Sequence, residues 1–150
     1  MRLTYAVAPG FVARGGGAII NIASAAAVLP ELFNGVYDAT KAFVLVFSQS
    51  LHHELAEKGV RVQVVLPGVT ATDLWRLVGT SIEHFPAQIV MSGADLVDAA
   101  LAGFELGEFV TSHHSPTSRI GMPLRRHVGL RVQISPMSHP PRDTAQPAVR

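Results

Sequence analysis

Apolar residues recur along this chain at two different spacings. Leu3, Ala6, Val7, Phe11 and Val12 follow a helical repeat over residues 1–13 and predict a short helix that Pro9-Gly10 interrupts. Gly15-Gly16-Gly17 is a turn. Ala18 to Ala23 is short, apolar and bounded by turn residues, so it reads as a buried strand. Ser24 to Asn34 reads as loop, with Pro30 and Asn34-Gly35 as breakers. From Tyr37 to Lys58, Phe43, Val44, Phe47, Leu51 and Leu55 predict a long helix that Gly59 stops. Val60 to Leu66 is rich in β-branched residues and ends at Pro67-Gly68, which predicts a second strand. Residues 69–91 are mixed, with a short helix expected over Asp73–Val78. Ser92 and Asp95 resemble a capping box, Leu96, Ala99, Ala100 and Phe104 supply a helix face, and Gly107 ends it. Glu108 to Thr111 reads as a last short strand.

Strands that alternate with helical crossovers predict an α/β fold with a parallel sheet. Such a sheet takes ligands beyond the carboxyl ends of its strands. Ser24 and Pro67-Gly68 both follow strands, so both are expected on that rim. The chain of 150 residues is 48% hydrophobic, which suits one packed domain. It has no cysteine, so disulfides and thiolate chemistry are excluded. The longest central apolar run, Ala42 to Phe47, is far too short to cross a membrane, and no signal peptide is read at the start. A cytoplasmic location is the simplest expectation.

Charge divides the chain in two. Residues 1–111 hold 6 Lys+Arg and 10 Asp+Glu, a net −4; residues 112–150 hold 6 Arg and one acid, a net +5. That tail also carries six Pro, four His and five Ser, and no Lys. Its composition favours a disordered end. A basic nucleic-acid arm fits less well, because no aromatic residue is interleaved for stacking. A segment translated from a shifted reading frame is the third reading. His113-His114 are adjacent on an irregular stretch and lack metal-ligand spacing, so no metal is expected.

Tyr37 and Lys41 lie four residues apart at the start of the long helix and so share a face. An ammonium beside a phenol favours the phenolate, which suits proton transfer. A Tyr-Lys pair of this spacing is also a common surface pair, and spacing alone does not choose between the two. The context is more specific. Tyr37-Asp38-Ala39-Thr40-Lys41 matches a Tyr-x-x-x-Lys motif, Ser24 precedes it by thirteen residues, and Pro67-Gly68 with Thr70 and Thr72 follows the next strand. In this order and spacing, residues 1–111 resemble the short-chain dehydrogenase/reductase family.

The resemblance implies a doubly wound Rossmann-type fold and hydride transfer between NAD or NADP and an alcohol or carbonyl substrate. It implies Tyr37 as general acid/base, Lys41 as the group that promotes its ionisation and holds the nicotinamide ribose, and Ser24 as the group that orients the substrate oxygen. Pro67, Gly68, Val69, Thr70 and Thr72 line the nicotinamide pocket on this reading, and residues 73–91 are the substrate loop. Thr70 and Thr72 as helix caps, and Pro67-Gly68 as a plain strand end, are the competing readings.

The sequence departs from the family in two respects, the tail beyond Thr111 described above and the absence of the family's nucleotide-binding parts. The family's glycine-rich pyrophosphate turn follows a strand, whereas Gly15-Gly16-Gly17 precedes one. Asn21 lies on a different strand from the family's catalytic asparagine. The expectation is therefore a truncated fold: the C-terminal, catalytic portion over residues 1–111, without its nucleotide-binding half. The strand from Ala18 should then expose an edge, and the isolated chain should bind dinucleotide weakly or be inactive. A small-molecule substrate and a homo-oligomer formed through helix 37–58 are the expected partners. The alternative function is a non-catalytic piece that associates with full-length relatives through the same helix.

Overall fold

The computed structural model describes residues 1–29 and 35–112. The elements in chain order are α1 (Arg2–Ala13), β1 (Gly17–Ile22), α2 (Gly35–Leu55), β2 (Val60–Leu66), β3 (Val69–Ala71), α3 (Leu74–Leu77), β4 (Val90–Ser92), α4 (Gly93–Glu105) and β5 (Val110–Ser112). Strands β1, β2 and β5 form a parallel sheet in that order, with Ile19 opposite Val62 and Val64 opposite Val110. The fold is α/β, with parallel strands linked by helices, as the alternation predicts.

Side-chain alternation along β2 builds both layers. Val60, Val62, Val64 and Leu66 face α2, where they meet Leu45, Leu51, Leu55, Ile19 and Ala23 in two buried clusters. Phe11 and Val12 of α1 pack at the edge of one cluster. Arg61 and Gln63 face the opposite way, toward α4. Their neighbours on β1, Ile20 and Ile22, look out on the same face and are 37% and 53% exposed. Among the described residues β1 pairs with β2 alone and is the outer strand of the sheet.

Local chemistry sets the boundaries. Gly59 stops the helical run with φ +73 and approaches the Gly15 backbone so closely that a Cβ would lie 2.3 Å from its carbonyl oxygen. Only glycine fits there. α2 ends at Leu55, and a single 3-10 turn over Ala56–Lys58 completes the stretch expected as helix. Ser92 caps α4: its Oγ accepts from the Asp95 N–H at 3.1 Å and donates to Oδ2 of Asp95 at 2.7 Å. The return contact thus runs through the hydroxyl instead of the cap's backbone N–H.

Several expectations change. α1 runs unbroken through Pro9, which forgoes one backbone hydrogen bond without ending the helix. Phe43, expected on the core face of the long helix, is 54% exposed, and Leu45 occupies that face instead. α2 is apolar on more than one side, so periodicity alone did not choose the buried one. The last strand begins at Val110, two residues later than expected. The parallel pair β3–β4, three residues each, was not foreseen in the mixed segment 69–91. The readings for residues 30–34 and for the tail beyond Ser112 lie outside the described residues.

Candidate active site

The site is built where β1 and β2 end. Beyond β1 the chain stays alongside β2: the Ala23 N–H donates to the Val65 carbonyl at 2.8 Å and the Ala25 N–H to the Pro67 carbonyl at 2.9 Å. Ser24 lies between them, and Pro67-Gly68 stands beside it. The two segments that the pattern put on one rim are hydrogen-bonded neighbours.

Ser24 is extended, with φ −169 and ψ 158, and half-buried. Its Oγ accepts the Ala26 N–H at 3.2 Å, where it caps the 3-10 turn Ala25–Ala27. That contact uses a lone pair and leaves the hydroxyl hydrogen as a donor. The capping role and a role toward a ligand are therefore compatible.

α2 brings up the other two groups. Tyr37 and Lys41 sit in its first two turns, and Nζ of Lys41 lies 5.7 Å from the Tyr37 ring centroid. Nζ also donates to the Ile22 carbonyl at 3.4 Å, two residues before Ser24. Ala23 and Ala25 point their N–H groups at β2, so the Ile22 carbonyl points to the open side of β1. Lys41 therefore reaches across the strand end. Tyr37 is 39% exposed, and its ring is open to solvent for part of its surface.

The following segment is ordered by its own contacts. Thr70 is buried and its hydroxyl donates to the Gly68 carbonyl at 3.3 Å; Nε1 of Trp75 donates to the Thr70 carbonyl at 2.7 Å. Pro67, Gly68 and Val69 are half-buried, and Thr72 is exposed. The residue at the cap of α3 is Asp73, and it makes no side-chain capping bond. Neither threonine caps that helix. A cleft of about 230 Å³ lined by His52, Arg61, Phe104 and Glu108 lies at the other end of β2, away from Ser24 and Lys41.

A family model described as short chain dehydrogenase matches residues 1–82. The chain belongs to the short chain dehydrogenase family. A short-chain dehydrogenase from Sphingobium yanoikuyae, solved in complex with NADPH, is 49% identical with a TM-score of 0.70. The match covers 74% of this chain and 42% of that one. A short-chain dehydrogenase from Burkholderia cenocepacia in complex with NADP is 29% identical with a TM-score of 0.68, over 83% of this chain and 50% of that one. The very-long-chain 3-oxoacyl-CoA reductase of Mus musculus is 41% identical over 93 residues, 62% of this chain and 30% of that protein. The chain thus spans less than half the length of the mouse and Sphingobium proteins.

Two features near the site were not picked out by sequence reasoning. Asp38, next to Tyr37, is only 4% exposed, and neither carboxylate oxygen has a hydrogen-bond partner among the described residues. Asn21 reaches across to α2 and donates from Nδ2 to Oγ of Ser48 at 2.9 Å. The seven-residue step from Lys41 to Ser48, two helical turns, was the available signal for that contact.

Proposed function

We propose that this chain carries the proton-transfer half of an NAD(P)-dependent oxidoreductase that interconverts a carbonyl and an alcohol. The supporting observation is the position of the Lys41 ammonium, 5.7 Å from the Tyr37 ring and in contact with the end of β1 that leads into Ser24. Family membership and the NADPH and NADP held by two related structures support the cofactor class.

In the reductive direction Tyr37 gives its phenolic proton to the substrate oxygen. Lys41 stabilises the phenolate left behind. The Ser24 hydroxyl donates a hydrogen bond to the same substrate oxygen and holds it in line. When bound, the nicotinamide supplies the hydride. The residues fit its ribose end: the Lys41 ammonium has three N–H donors and places one on Ile22, so two can meet ribose hydroxyls. Pro67, Gly68, Val69, Thr70 and Thr72 would line the nicotinamide when it is bound. No residue is assigned to the pyrophosphate. The partial cover of each relative supports reading residues 1–111 as one half of the family's sheet, the half that carries Tyr-x-x-x-Lys.

The test is NADPH oxidation with acetophenone and with acetoacetyl-CoA, the second chosen for the name of the mouse relative. Tyr37→Phe is expected to lower turnover by about 10²-fold or more, the range of a lost general acid. Undiminished turnover in that variant sinks the reading.

A second reading has its own observation. Phe43 and Val46 of α2 are 54% and 58% exposed, and Phe43 stacks on Phe47, which meets Tyr5 of α1. An apolar face of this kind suits association with another copy or a full-length relative. Phe43→Glu is expected to abolish self-association in analytical ultracentrifugation and co-purification with such a relative.

A further inference from the structure

We infer that Asn21 and Ser48 are positioning residues that set Lys41, and with it Tyr37, over the end of β1. The inference rests on the functional reading above. Hydrophobic contact between α2 and the sheet is non-directional, so Leu45, Leu51 and Leu55 hold the helix down without fixing its slide or rotation. A directional contact has to do that. Among the described residues, Asn21 Nδ2 to Ser48 Oγ at 2.9 Å is such a bond between β1 and α2, and Lys41 to Ile22 is the other.

The polarity of the first bond is determined. Ser48 is fully buried and donates its own hydrogen to the Val44 carbonyl at 2.7 Å. Its oxygen is thereby turned to accept, and Asn21 supplies the N–H. One hydroxyl therefore ties the helix to itself and to the strand. The two contacts with β1 fall on adjacent residues, Asn21 and Ile22, but on helix positions seven apart. That is about 10 Å of helix axis. Two attachments at this separation fix both the slide of α2 along β1 and its rotation. The mobile partner of the pair is the long Lys41 side chain, and the rigid one is Ser48. With the rigid one removed, the helix is free to turn and Lys41 leaves the strand end.

The chain has two lysines, Lys41 and Lys58, and Lys58 is exposed, so a lysine-labelled NMR spectrum carries its own reference. The experiment uses the whole 150-residue chain with 13Cε and 15Nζ lysine, as Ser48→Ala, Asn21→Leu, the double variant and Ser48→Thr. The expected result is that each single variant moves the Lys41 signal toward that of Lys58. The double variant should move it no further, and Ser48→Thr, which keeps the hydroxyl, should leave it in place. Backbone amide spectra of the same samples report that the fold persists; if one single variant unfolds, the other alone decides. A Lys41 signal unmoved in a folded single variant, or displacements that add in the double variant, overturns the inference. NADPH turnover gives the parallel reading: a tenfold or larger fall in kcat for Ser48→Ala, KM within twofold, and recovery in Ser48→Thr. If Tyr37→Phe keeps full turnover while the Lys41 signal responds as expected, the functional reading fails and the positioning role stands.

Discussion

The α4 flank of the sheet and the rim beyond β1 treat polar side chains in opposite ways. On the α4 side, Gln63 is fully buried and donates to the Ala100 carbonyl at 2.9 Å and to Oγ1 of Thr111 at 2.8 Å. Thr111 passes its own hydrogen to Oε2 of Glu108 at 3.0 Å. Gly103 lets α4 close on this cluster, since a Cβ there would sit 2.2 Å from Thr111 Oγ1 and 2.6 Å from Glu108 Oε2. On the rim beyond β1, Ser24 and Lys41 are half-buried, Tyr37 is exposed, and each makes few internal contacts. Buried polar groups linked to one another stabilise a fold, whereas groups that keep donors in reserve at a strand end are available to a ligand. Stability and candidate chemistry are thus carried by different parts of one sheet.

The contrast is sharpest at Gly103. Gly103→Ala forces the Thr111–Glu108 pair apart and is expected to destabilise by about 2–3 kcal/mol, the range of an overpacked core. Urea unfolding should show it as a lower midpoint at unchanged slope. A neutral outcome would mean that the α4 flank is loosely packed and that the contrast is false. Gln63→Leu comes next. It strips the Ala100 carbonyl and Thr111 of a donor, and the expected loss is about 1–2 kcal/mol. The buried Oε1 of Gln63, which lacks a partner among the described residues, offsets part of that loss when it is removed.

Asp38 breaks the pattern from the other side. It is a buried polar group on the α2 flank with neither oxygen partnered among the described residues. Tyr37→Phe has the smallest effect on stability, within about 0.5 kcal/mol, as for other exposed positions without a structural bond. Paired with its large expected effect on turnover, that small change separates chemistry from folding at one residue.

The candidate rim was legible early because its marks are local. Tyr37 and Lys41 share a helix face by spacing alone, and Ser24 and Pro67-Gly68 each follow a strand whose apolar run is plain. Their adjacency, through Ala25 and Pro67, came out as the parallel alternation required. The β3–β4 pair was hidden because three-residue strands have no period to detect, and their ladder exists only once distant segments meet.

What the sequence determined by itself is the order of the major elements, the parallel sheet and the strand ends at which polar groups collect. Those follow from period, β-branching and turn residues, all of which act over a few neighbours. The tertiary structure decided which side of α2 is buried, that Ser48 faces Asn21, and that Asp38 is enclosed beside an exposed tyrosine. These depend on how a helix with several apolar stripes rolls onto a sheet, and that choice is made by the summed contacts of the whole surface, not by any local stretch of chain.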